Sequence, residues 1–97
     1  MFEIVIMNKS ELVDAIAERA DVSKKDAELI LTATLDTIVD AVSDGEKVSL
    51  VGFGSFEKRH RKARTGRNPQ TGEALNIAAT DVPGFSAGKA FKETVAA

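Results

Sequence analysis

The sequence predicts an α+β fold, in which a helical body carries a three-stranded antiparallel sheet that runs out into a two-stranded arm. Three observations lead there. Apolar residues recur at helical spacing up to Ser43. The period changes to two from Glu46 onward. Between two strand-like stretches lies RKARTGRNPQTG, Arg61 to Gly72, with four basic residues, two glycines, one proline and no acid. That segment has nothing with which to build a core.

Each element has its own local signal. Asn8 followed by Glu11 has capping-box spacing, with Asn in place of Ser or Thr. Leu12, Val13, Ile16 and Ala20 then mark a helix over 9–20. Ser23 and Asp26 form a second start signal, and Val22 is placed to staple onto Ala27. Ala27, Ile30, Leu31, Leu35, Ile38, Val39 and Val42 form a wide stripe that ends before Gly45, predicting a second helix over 24–43. A stripe this wide on so short a chain calls for a large partner surface. Val48 and Leu50 alternate with Lys47 and Ser49 as a strand. GFGSF, residues 52–56, reads as a tight turn with Phe53 at its point, since it lacks the third glycine of a dinucleotide fingerprint and the Lys-Ser/Thr of a P-loop. A phenylalanine there demands burial, and a second subunit is the simplest source of it.

The next strand is expected to begin at Ser55. It places Phe56, Lys58, His60, Lys62 and Arg64 on one face and Glu57, Arg59, Arg61 and Ala63 on the other. Beyond Phe56 both faces are polar, so the strand leaves the core and reaches roughly 26 Å by Arg64 at ~3.3 Å per residue. TGRNPQTG supplies the tip. The return strand is expected over about 74–80, with Leu75, Ile77 and Ala79 on one face, and a short third helix from Ser86 to about Val95. The arm thus spans about 57–79. Residues 1–6 read as an upstream start or cloning remnant outside the domain, or as an extra edge strand through Ile4-Val5-Ile6, leaving 7–97 as a single domain.

Composition narrows the function classes. The chain has 97 residues, no cysteine and no apolar run near the ~18 residues of a membrane span. Neither disulfide nor thiolate chemistry is available, and a reducing cytosol suits it. The net charge is −2, yet Lys58, Arg59, Arg61, Lys62, Arg64 and Arg67 give the segment 58–72 a charge of +6, which leaves −8 for the remainder. Such asymmetry is an interaction signal. On charge alone, a polyanion site and lysines guarding a sheet edge both fit.

From Met7 onward, VGFGSFEKRHRKARTGRNPQTG and VPGFSAGKAF resemble the HU/IHF family of bacterial histone-like DNA-binding proteins, most closely HU. MNKSELVDAIAERADVSKKDA resembles the usual start of that family. The resemblance implies an intertwined homodimer, or a heterodimer with a paralogue, whose two β-arms wrap the DNA minor groove. It implies that Pro69 intercalates between base pairs, and that the DNA-contacting set is Lys9, Lys58, Arg59, His60, Arg61, Lys62, Arg64, Arg67, Asn68, Pro69, Gln70, Thr71 and Lys89. Phe53, Phe56 and Phe85 are the expected dimer core. The implied role is architectural, bending and compacting duplex DNA in the bacterial cytoplasm as a nucleoid-associated protein, largely without sequence preference.

The chemistry of these residues agrees. Cations on both faces of a thin arm neutralise phosphates and release counterions. Pro69 offers a rigid apolar ring with no N–H to desolvate. Lys24 and Lys25 are further candidate contacts on the body, and plain surface lysines are the alternative for these two and for Lys9 and Lys89. Two features depart from the family: the body is acidic, and the return strand EALNIAA carries Glu73 and no Lys or Arg.

Other functions fit less well. One histidine, no cysteine and no tyrosine leave no nucleophile–base pair, no metal-ligand spacing and no cofactor motif, so no enzyme is expected. A helix-turn-helix reader is opposed by the five acids and no base between Asp26 and Asp44. An IHF-like, site-preferring bender and a protein-interaction module using the basic arm remain the alternatives.

Overall fold

The computed structural model describes residues 4–97. In chain order these form α1 (Lys9–Ala20), α2 (Lys24–Ser43), β1 (Val48–Leu50), β2 (Gly54–Arg61), β3 (Arg64–Arg67), β4 (Ala74–Ile77), β5 (Thr80–Ala87) and α3 (Lys89–Ala96). Two compact units divide the chain within α2, one reaching to Thr37 and the other running from Ile38 to Ala97.

In the first unit both expected helix starts are built as the sequence reads. The Asn8 side chain accepts from the Glu11 N–H at 2.8 Å, and the Ser23 hydroxyl oxygen accepts from the Asp26 N–H at 3.1 Å. Each satisfies a donor that the first helical turn leaves orphaned. Helix α1 closes on Asp21 in the left-handed region, φ 56° and ψ 50°, where its N–H reaches the Ala17 carbonyl. Val13, Ala17 and Ala27 form a small core, with Ile16 and Leu31 packed against it. Ile4, Val5 and Ile6 belong to no strand and lie exposed, so the edge-strand reading of that stretch does not hold; residues 1–3 lie outside the described residues.

The second unit holds two antiparallel ladders, β1-β2-β5 and β3-β4. Their registers belong together. Gly54 pairs with Ala87, Arg61 with Thr80, Arg64 with Ile77 and Arg67 with Ala74. Residues 54 to 87 are therefore one hairpin about a single centre. Pairing is interrupted at Lys62–Ala63 on one side and Ala78–Ala79 on the other, with no slip in register. The expected unbroken strand to Arg64 is corrected to two segments. Three of the four residues at the interruption are alanines, with little side chain to pack across a ladder.

The return strand also differs from expectation. It does not end near Thr80 but resumes there and continues to Ala87 through Pro83 and Gly84. Pro83 is tolerated because β5 lies at the sheet edge, where a missing N–H breaks no second ladder. Ser86 and Ala87 are paired with Ser55 and Gly54, so the third helix starts at Lys89 instead of Ser86. Gly88 precedes it, donating its N–H to the Phe53 carbonyl at 2.8 Å.

The phenylalanines converge where turn, sheet and α3 meet. Ring centroids of Phe56 and Phe85 lie 4.8 Å apart, those of Phe53 and Phe91 5.3 Å, and those of Phe53 and Phe85 5.4 Å. Gly54 makes this possible. Its φ of 155° suits glycine, and a Cβ there would strike the Ser86 carbonyl and the Phe85 ring. Even so, Phe53 remains 45% exposed.

Candidate nucleic-acid interface

The hairpin has three zones, distinguished by what its polar side chains already touch. The tip comes first. The Asn68 N–H donates to the Glu73 carbonyl at 2.9 Å and the Gly72 N–H to the Asn68 carbonyl at 2.7 Å, closing the loop just beyond the last ladder pair. Gly72 takes φ 72°, which reverses the chain. The Asn68 side-chain oxygen accepts from the Gln70 N–H at 2.9 Å, and the Thr71 hydroxyl from the Glu73 N–H at 3.3 Å. Pro69 and Gln70 sit exposed at the apex. Asn68 thus spends its acceptor inside the turn and keeps its amide donors for a ligand. The minor groove presents mainly base acceptors, which suits such donors.

The middle zone carries the unengaged cations. Arg61, Lys62, Arg64 and Arg67 are exposed, and among the described residues none makes an internal side-chain hydrogen bond or ion pair.

At the root the basic side chains have internal partners. Lys58 donates to the Ser43 carbonyl at 3.0 Å and lies 3.7 Å from Asp81. Helix α2 has no base in its last turn, so Lys58 supplies the positive charge that its C-terminus favours. Arg59 donates to the Ser86 hydroxyl at 3.0 Å and lies 3.5 Å from Glu57, with its side chain laid across Gly84, where a Cβ would collide with it. His60 meets Asp81, its register partner, at 2.9 Å between Nδ1 and Oδ1. The hydrogen bond from His60 is the main cause holding the Asp81 carboxyl below its ordinary value, with the Lys58 charge assisting.

The sequence-predicted contacts therefore separate. Four exposed arm cations have no internal partner among the described residues, whereas Lys58, Arg59 and His60 are engaged within the chain. Asp81 escaped sequence reasoning because it lies 21 residues from His60. A hairpin centred between Gln70 and Thr71 would have placed the two opposite each other. On the helices, Lys9 donates to the Thr32 hydroxyl at 3.1 Å, Lys24 lies 3.4 Å from Asp14, and Lys89 lies 3.9 Å from Glu93. Lys9, Lys24 and Lys25 border one groove together with Asp14 and Glu28, so its lining mixes cations with acids.

Comparison with known proteins gives a consistent answer. The profile of the family described as "Bacterial DNA-binding protein" matches residues 7–96. The chain is 67% identical over 90 residues to DNA-binding protein HU of Nostoc sp., covering 93% of this chain and 96% of that protein. It is 54% identical to DNA-binding protein HU 1 of Bacillus subtilis, covering 93% and 98% of the two chains. Among solved structures, an Anabaena HU–DNA cocrystal structure superposes with a TM-score of 0.88 at 67% identity, covering 93% of this chain and 98% of that one. HU from Thermotoga maritima superposes at 0.65 with 42% identity, covering 92% and 98%. With its cationic hairpin, its Pro69 apex and these matches along almost its whole length, the chain belongs to the HU group of the bacterial DNA-binding protein family.

Proposed function

We propose that this chain is an architectural DNA-binding protein that grips duplex DNA through the minor groove and bends it, with little dependence on sequence. The observation that carries the reading is the hairpin itself. It presents four cations that have no internal partner among the described residues, and it ends in an exposed proline held by a closed turn. Phosphates reward the cations through counterion release. Base-edge acceptors suit Arg67 and the amide of Asn68. The ring of Pro69 is shaped to wedge into a base step, and the family is among the minor-groove architectural proteins that kink DNA in this way. The relative solved as a cocrystal is an HU–DNA complex.

The working unit is a homodimer in which Phe53, Phe56 and Phe85 complete a shared core and two arms embrace one duplex. Its place is the DNA of the bacterial cytoplasm, and it performs no catalysis. A HU-like role is favoured over a site-preferring one because the outward donors meet a groove whose pattern is degenerate. Gel shifts with mixed-sequence duplexes over a salt series test this. Binding should weaken steeply with salt and compete equally among unrelated sequences. A shift confined to one sequence, or none at low salt, would refute the reading.

A further inference from the structure

We propose that His60 is a proton-gated phosphate contact at the root of the arm, silent while its ring is neutral and engaged once the ring is protonated. This rests on the DNA-binding reading above and adds a condition to it. The argument starts from the 2.9 Å contact between His60 Nδ1 and Asp81 Oδ1. An ionised carboxylate only accepts hydrogen bonds, so the neutral ring must carry its proton on Nδ1. That leaves Nε2 as a bare lone pair on a side chain 64% exposed to solvent. A phosphate oxygen is also an acceptor, and it gains nothing from such a nitrogen. Adding one proton turns Nε2 into a donor and the ring into a cation without breaking the bond to Asp81. The proton comes from solvent, and each arm takes up at most one on binding DNA.

The surroundings permit this. Lys58, on the same strand face, is 3.7 Å from the other Asp81 oxygen and is tied to the Ser43 carbonyl of α2. Lys62 follows two residues along that face. Glu57, Arg59 and Arg61 project from the opposite face, with Glu57 engaged by Arg59. Pro83 and Val82 are the nearest residues following Asp81 on β5 and carry no charge. The Asp81 carboxyl is held below its ordinary value, chiefly by the hydrogen bond from His60, so it remains an ionised acceptor throughout the pH range of the test. The chain has one histidine, which makes the effect separable.

The sign follows from linkage. A nearby anion favours the protonated ring, so the complex binds more protons than the free partners and affinity rises as pH falls. The test is a fluorescence-anisotropy titration of the full chain against a mixed-sequence duplex from pH 8 to pH 6 at constant ionic strength. Calorimetry in two buffers of different ionisation heat counts the protons taken up. The parent should bind about two- to fivefold more tightly per arm at pH 6, the yield of one exposed charge contact. His60→Asn should flatten the profile, so that its affinity at pH 6 equals its own affinity at pH 8. A parent profile as flat as that of His60→Asn, or equal slopes in both, overturns the proposal while leaving DNA binding intact. Absence of binding at every pH overturns the DNA-binding reading and this one with it.

Discussion

Arg59 and Arg61 are two residues apart on one strand and share a face, yet their surroundings assign them different work. Arg59 is held by Ser86 and Glu57 over Gly84, whereas Arg61 extends with no internal partner among the described residues. Replacing Arg61 with Ala should therefore lower the slope of log affinity against log salt by ~0.9 per arm. Arg59→Ala should leave that slope nearly unchanged and lower the melting temperature instead. Equal slope changes for the two would place Arg59 on the DNA. Pro69 separates a different pair of properties. Pro69→Ala keeps every arm cation, and under the proposed wedge role the unstacking cost, a few kcal/mol, disappears together with the wrapped surface it permits. Affinity for intact duplex should change little while most of the bend is lost, as read by energy transfer between end-labelled ends beside a binding titration. Full bending by Pro69→Ala would reduce the tip to a turn that positions Arg67 and Asn68.

At the scale of elements, legibility tracked the range of the forces involved. Both long helices carry their starts in three-residue signals, Asn8 to Glu11 and Ser23 to Asp26, and the structure forms both bonds. The β-arm was visible as a cationic stretch with turn chemistry at its centre. What stayed hidden was set by partners distant in sequence. Ser86 has apolar residues at helical spacing after it, but its pairing with Ser55 keeps it in the sheet. Asp81 reads as one acid after a strand, and its register places it against His60, so the charge of the root cannot be counted from residues 58–72 alone. Two glycines show the same distinction. At Gly72, with φ 72° and open space around a would-be Cβ, alanine should cost about 1–2 kcal/mol from backbone strain alone. At Gly54, backbone strain combines with collision against Phe85 and Ser86, so alanine should cost roughly 2–4 kcal/mol. Chemical denaturation of both variants checks the order, and a Gly54→Ala protein as stable as Gly72→Ala would mean the aromatic cluster is loosely packed.

For the whole molecule, the deciding quantity is surface. The chain exposes 8398 Å². A self-sufficient folded monomer of 10.3 kDa is expected to expose about 5,400 Å². Part of the difference is the arm, which has no interior of its own. The exposed residues 4–7 add to it, and so do large apolar side chains of the helices and of the phenylalanine cluster. Ile30 and Val39 of α2 are 60% and 61% exposed, and the Phe53 ring is half open. Only Val13, Ala17, Ala27 and Val42 are buried hydrophobics among the described residues, all of them small or medium side chains. Four such residues do not offset the conformational entropy of a domain this size. A second copy that covers the α2 stripe and the phenylalanine cluster would, and obligate dimer interfaces bury about 2,000–5,000 Å² in total. Folding and association are then one equilibrium, and the melting temperature must depend on protein concentration. A tenfold increase in concentration adds about 1.4 kcal/mol per mole of dimer. Divided by the unfolding entropy of two such chains at ~2.1 cal/mol/K per residue, this shifts the midpoint upward by about 3 °C. Melting curves over a hundredfold concentration range, with sedimentation at each end, measure it. A midpoint that does not move, together with a compact monomer in sedimentation, would mean that the exposed stripe and the open phenylalanine cluster are stable in water. The shared core would then have to be abandoned, and with it the pairing of two arms about one duplex.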